Sequence, residues 1–155
     1  MSLINVGTKA PGFVLSDQHG EKVDLKSLQG RRVILSFHPL AFTPVCAKQM
    51  KALEDNREEF EKMGAVALGI SVDSVPAKHA WARDLGVKST QLLSDFWPHG
   101  AVASSYRIFS EDGGYSKRSM IILDEEGIVR FSKVYPISEV PDMGEILEQL
   151  KKLGG

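Results

Sequence analysis

Apolar runs and amphipathic stretches take turns along this sequence, and that alternation narrows the folds open to it more than any other feature. Arg32–Phe37, following Gly30, is a β-branched, apolar run of the kind that forms a buried strand. Ala65–Val72 is a second such run and Leu92–Ser94 a short third. Between the first two, Met50, Leu53, Phe60 and Met63 share one helical face, while Lys51, Glu54, Asp55, Glu58, Glu59 and Glu61 lie elsewhere. The spacing predicts a helix over about 46–63, with Gly64 as its stop. Asp73 or Ser74 caps the next helix, which has Pro76 in its first turn and runs to Leu85 before Gly86. His99–Tyr106 is a short helix, and Val140–Leu153 an amphipathic one through Met143, Ile146, Leu147 and Leu150. Ser119–Leu123 and Ile128–Val134 pair across the Asp124–Gly127 loop, and Phe13–Ser16 and Lys22–Leu25 form a hairpin around Asp17–Gly20. Strands alternating with helices imply an α/β fold: a central mixed β-sheet flanked by helices, with an N-terminal β-hairpin. No repeat, low-complexity tract or linker interrupts the pattern, so a single domain over 1–155 is expected.

Composition excludes several function classes. The chain is 43% hydrophobic and 25% charged, which rules out a disordered or collagen-like chain. Lys plus Arg number 19 and Asp plus Glu 20, a net charge of −1. That balance lacks the electrostatic footprint of a nucleic-acid binder and offers no polybasic membrane anchor. No stretch approaches the ~20 apolar residues that span a bilayer, and Met1–Gly7 has neither a basic n-region nor an apolar h-region. The one cysteine, Cys46, cannot make an intrachain disulfide, a CxxC pair or a cysteine-rich zinc site. A reducing, cytoplasmic compartment is the expected setting. His19, His38, His79 and His99 are scattered without ligand spacing, and neither GxGxxG nor a P-loop is present, so no metal and no cofactor are expected.

Chemistry concentrates in Phe37–Cys46, between a buried strand and a helix, where ligands favour open α/β sheets. Thr43 is a preferred N-cap residue and Pro44 suits the first helical position. Cys46 then occupies the third helical position, where the helix dipole and free N–H groups favour negative charge. A thiol so placed has a lowered pKa, and its thiolate is the nucleophile. A lone cysteine is also often just a small buried apolar side chain, and residue pattern alone leaves the two readings evenly matched.

Pro39-x-x-x-Thr43-x-x-Cys46 resembles the PxxxTxxC signature of the peroxiredoxins, and Arg118 stands where that family carries its active-site arginine. The likeness extends through Pro11–Phe13, Leu93–Asp95 and Ile122–Arg130. Pro39–Thr43 and Leu92–Val102 are similar to the alkyl hydroperoxide reductase E group. The resemblance implies a thioredoxin-like fold and a peroxidase whose Cys46 thiolate attacks H2O2, an organic hydroperoxide or peroxynitrite and becomes a sulfenic acid. Arg118, which cannot lose its charge, would stabilise the thiolate and the leaving oxygen. The Thr43 hydroxyl can donate to thiolate or peroxide and accept from a backbone N–H. Pro39 would stiffen the loop and screen Cys46. Gln49 replaces the glutamate of many relatives, which puts a carboxylate contact to Arg118 in question.

Lys51 and Leu153–Gly155 occupy places where relatives carry a resolving cysteine or a longer tail, so a one-cysteine type is implied. Its sulfenic acid then needs an external thiol reductant: a low-molecular-weight thiol with a redoxin, or thioredoxin. Excess peroxide would drive Cys46 to irreversible sulfinic acid. Family members commonly pair through the active-site region, so a homodimer is expected, with Phe42 and Trp97 either at the interface or collaring the peroxide pocket. Phe37 and Trp81 are assigned to core packing, and His38 to structure. A redox sensor or relay, or a chaperone-like holdase using the same cysteine, is the alternative.

Overall fold

The computed structural model describes residues 3–154. Met1, Ser2 and Gly155, which the single-domain expectation over 1–155 and the reading of the N-terminus include, lie outside the described residues. The strands are β1 (Val14–Ser16), β2 (Lys22–Asp24), β3 (Arg32–Phe37), β4 (Ala65–Ser71), β5 (Gln91–Ser94), β6 (Phe109–Ser110), β7 (Tyr115–Ser116), β8 (Ser119–Leu123) and β9 (Val129–Val134). The α-helices are α1 (Pro44–Asp55), α2 (Arg57–Lys62), α3 (Val75–Leu85), α4 (Ala101–Ser105) and α5 (Met143–Lys152). Seven strands form one sheet in the order β2-β1-β5-β4-β3-β8-β9. β3, β4 and β5 run parallel, and β8, β9, β1 and β2 complete the sheet antiparallel, so the sheet is mixed as expected.

The central strands are covered on both faces, which is why they read as continuous apolar runs. Along β3, Ile34 faces one core with Met50, Leu53, Phe60, Trp81, Leu92, Met120, Ile122, Ile146 and Leu150. Val33, Leu35 and Phe37 face the other, with Leu68, Ile70, Leu93, Tyr106, Ile121 and Leu123. Helix α1 lies close against β4: a Cβ on Gly69 would come 2.3 Å from the Met50 sulfur. Gly69 thus leaves room for the Met50 side chain to lie flat on the strand.

Helix boundaries depart from the periodicity where side chains compete locally. The predicted 46–63 helix starts at Pro44 and breaks at Asn56. The Asn56 side chain donates to the Ala52 carbonyl at 2.8 Å, sharing the acceptor that the helix ladder uses, and its backbone leaves helical angles. Helix α5 starts at Met143 rather than Val140, because the Asp142 carboxylate accepts from Gly144 N–H and caps the helix there. Helix α4 is confined to Ala101–Ser105, inside the predicted 99–106. A 3-10 turn at Leu25–Leu28 and the two-residue strands β6 and β7 are too short to show a period.

One carboxylate anchors α1 to the chain entering β5. Glu54 is 9% exposed and accepts from the backbone N–H groups of Lys88, Ser89 and Thr90. Burial opposes its charge, but those three donors together outweigh it and hold the carboxyl below its ordinary value. Glu54→Ala should cost on the order of 2–3 kcal/mol in chemical denaturation, the worth of a charged acceptor with several donors. The contribution is present above the ordinary carboxylate range and should be lost as pH falls through the lowered folded value.

Candidate active site

Helix α1 opens as the sequence expects. Thr43 is the extended N-cap residue, Pro44 is first in the helix, and Cys46 is third. The first ladder bond is Ala47 N–H to Thr43 carbonyl, at 2.9 Å, so the N–H groups of Val45 and Cys46 have no backbone partner among the described residues. Cys46 is 1% exposed, and Pro39, at the start of the preceding loop, is also buried. The loop between them turns sharply at Phe42, whose φ of 64° lies in the left-handed region. A bulky side chain there stores strain of about 1–2 kcal/mol, which surrounding contacts must hold.

Sheet register brings Arg118 to the thiol. β8 pairs antiparallel with β3 so that Ser119 faces Phe37. Arg118, one residue outside β8, therefore lies beside the start of the Pro39 loop. Its Nη1 is 3.3 Å from Cys46 Sγ and donates to Gln49 Oε1 at 2.7 Å. Its Nε and Nη2 donate to the Ile137 carbonyl at 3.2 and 2.9 Å. Gln49 in turn donates through Nε2 to Ser36 Oγ at 2.6 Å and the Phe37 carbonyl at 3.2 Å. The amide oxygen of Gln49 thus takes the place of the carboxylate in question. It orients the guanidinium without neutralising it, and no carboxylate pairs with Arg118 among the described residues.

Thr43 departs from its expected bonding. Its hydroxyl neither caps α1 nor donates to Cys46, but donates to the Leu40 carbonyl at 2.7 Å. A hydroxyl has one proton to give and two lone pairs. With the proton committed to Leu40, the Thr43 oxygen is left as an acceptor. The loop is gripped again by Asp73, whose carboxylate accepts from Ala41 N–H at 2.8 Å and from Ser71 Oγ–H at 2.5 Å. Phe37 is fully buried in the core, while Phe42 and Trp97 are 57% and 81% exposed, so neither closes a collar over the thiol within this chain. Trp81 is buried, with the rings of His38 and Phe42 tilted against it at centroid distances of 5.3 and 6.3 Å.

Several site residues escape the sequence pattern. Gln49 is not among them, since it stands where many relatives carry a glutamate. Asp73 and the Ile137 carbonyl are, because nothing local ties them to the loop. The buried Lys78, whose Nζ lies 2.8 Å from His38 Nε2, also left no signal.

The arrangement has the parts of a nucleophilic thiol site: a buried sulfur, a fixed cation, free backbone donors and an acceptor hydroxyl. Comparison with known proteins agrees. Residues 6–132 match the AhpC/TSA family. The chain is 42% identical to alkyl hydroperoxide reductase E of Mycobacterium tuberculosis (strain ATCC 25618 / H37Rv) over 141 residues, 90% of this chain and 92% of that protein. It is 33% identical to peroxiredoxin 2 of Thermoplasma acidophilum over 96% of this chain and 75% of that one. The crystal structure of reduced Plasmodium vivax 2-Cys peroxiredoxin superposes with a TM-score of 0.86 at 28% identity, covering 96% of this chain and 81% of that one. The sheet and its flanking helices are therefore a thioredoxin-like fold, and the chain belongs to the AhpC/TSA family of thiol-dependent peroxidases, the peroxiredoxins.

Proposed function

We propose that this chain is a one-cysteine peroxidase in which Cys46 is the reacting thiolate, acting as a single domain over 1–155. The observation that carries the reading is the guanidinium of Arg118, 3.3 Å from Cys46 Sγ and oriented by a neutral amide. Arg118 is 2% exposed and has neutral acceptors at Gln49 and Ile137. Its charge therefore finds compensation in the anionic form of Cys46, and later in the oxygen that leaves.

The thiolate attacks the terminal oxygen of a hydroperoxide. A sulfur–oxygen bond forms and the oxygen–oxygen bond breaks, giving Cys46 sulfenic acid and an alkoxide or hydroxide that takes one proton. Thr43 Oγ accepts from the peroxide O–H and the free N–H of Cys46 donates to its oxygens, so the peroxide lies in line with the sulfur. Pro39 and Ala41, both buried, keep water from competing. H2O2, organic hydroperoxides and peroxynitrite fit this chemistry, because the site recognises the O–O unit rather than what it carries. With no second cysteine in the sequence, an external thiol condenses with the sulfenic acid, releasing water. A second thiol then frees Cys46 as the external disulfide forms. A low-molecular-weight thiol with a redoxin, or thioredoxin, can fill that part in the cytoplasm. Copies of the chain pair as a homodimer through the exposed Phe42, in the loop before Cys46, and the exposed Trp97.

Stopped-flow mixing of the reduced protein with H2O2 and with an organic hydroperoxide, read by tryptophan fluorescence, tests the reaction. Oxidation should run orders of magnitude faster than for free cysteine and leave one dimedone adduct, on Cys46. Cys46→Ser should abolish it, and oxidation at the rate of a free thiol would overturn the reading. Arg118→Ala should slow oxidation on the order of 100- to 1,000-fold, as losing one oxyanion donor does. Thr43→Val should slow it about 10- to 100-fold, the worth of one or two hydrogen bonds. Near wild-type rates in either variant would remove that residue from the mechanism. Trp97→Glu should shift sedimentation toward the monomer, and an unchanged profile would place the pairing face elsewhere.

A further inference from the structure

A cavity of about 360 Å³ opens at the end of the sheet away from Cys46, and the peroxide chemistry makes no use of it. Val33 and Leu123, paired across β3 and β8, form part of its wall. Four residues along each strand, about 13 Å, separate that pair from Phe37 and Ser119 at the active-site end. Ala10, Val33 and Leu123 are buried, and Leu25 and Leu28 of the 3-10 turn are half-buried, so the interior is apolar. Its size falls within the range of small-molecule sites.

The charged groups stand at the mouth. Lys9, Lys26 and Arg31 line the cavity and are all exposed. Neither Lys26 nor Arg31 forms an ion pair among the described residues. Lys9 Nζ donates to the neutral Glu126 carbonyl at 2.5 Å. Two carboxylates also line the cavity, and both have partners. Asp24 Oδ1 accepts from Lys26 N–H at 3.0 Å, at the start of the 3-10 turn. Asp124 accepts from the N–H groups of Glu126 and Ile128 and pairs with Arg130 at 2.7 Å. The mouth is thus left with uncompensated positive charge over apolar walls.

We propose that this cavity is a second binding site, for a small monocarboxylate with an apolar body. The walls take the body out of water, and the exposed cations hold the head. Arg31 presents a planar fork that matches the two oxygens of a carboxylate, and Lys26 adds a second positive charge. The site is separate from the thiol, so it does not depend on Cys46 reacting.

The test is titration of the reduced, 15N-labelled protein with octanoate, followed through its amide NMR signals, with octan-1-ol as the uncharged counterpart. Octanoate should give saturable shifts concentrated at Leu25–Gln29, Val33 and Leu123. Its Kd should be on the order of 1 mM, as ten non-hydrogen atoms at ordinary ligand efficiency permit. Octan-1-ol, and octanoate with the Lys26→Glu/Arg31→Glu variant, should each bind about tenfold more weakly or worse. Gly12 lines the same cavity, and a Cβ on it would meet no atom within 4 Å, so Gly12→Phe should fill the space and abolish binding. Cys46→Ser should bind octanoate as wild type does. An absence of saturable shifts, or shifts centred on Phe42 and Trp97, overturns the proposal. So does octan-1-ol binding as tightly as octanoate, unchanged binding in the charge variant or in a folded Gly12→Phe, or loss of binding in Cys46→Ser. Slow Cys46 oxidation beside intact octanoate binding overturns the peroxidase reading alone.

Discussion

A guanidinium with almost no exposure, set against a thiol, is the constraint on which the rest of this structure depends. Removing a charge from water is costly, and the cost is offset only by well-placed partners. Arg118 has three: the Ile137 carbonyl, the Gln49 amide oxygen and the Cys46 sulfur. Two are neutral and orient the group. The third, the Cys46 sulfur, is the one partner of the three able to carry the opposite charge. A glutamate at 49 would have supplied a competing carboxylate. Glutamine keeps the geometry and leaves the cation uncompensated.

Holding that geometry requires the loop from Pro39 to Thr43 to keep a conformation with a positive φ at Phe42. The chain meets the strain from several sides. Asp73 takes the Ala41 N–H, Thr43 closes back on Leu40, and Ser116 donates to the His38 carbonyl at 3.1 Å. These partners come from the end of β4, from the loop itself and from β7, so the loop is fixed by elements that the sheet already orders. A loop fixed in this way leaves little reorganisation to the groups it carries.

Much of this was legible in the residues because much of it is local. Alternating apolar runs and helical faces gave the mixed sheet and its order of elements. The Thr43–Pro44 pair marked the start of α1 and put Cys46 in its first turn, a matter of dihedral preference and missing donors within a few residues. The break at Asn56 was hidden because a side-chain amide competed with the backbone for one carbonyl, which periodicity does not register. The Thr43 bonding was hidden as well: its hydroxyl proton goes to the Leu40 carbonyl and its oxygen makes no capping bond, which the N-cap position alone does not reveal.

By itself, the sequence determined that one thiol is present, that it sits at a helix start after a strand, and that any sulfenic acid it forms must be resolved from outside the chain. Only the tertiary structure decided which charges that thiol meets. Arg118 is 72 residues from Cys46 and reaches it because β8 pairs with β3 in one register. A register is a property of strands already paired and of faces already buried, so the guanidinium beside Cys46 arrives there only when the sheet closes.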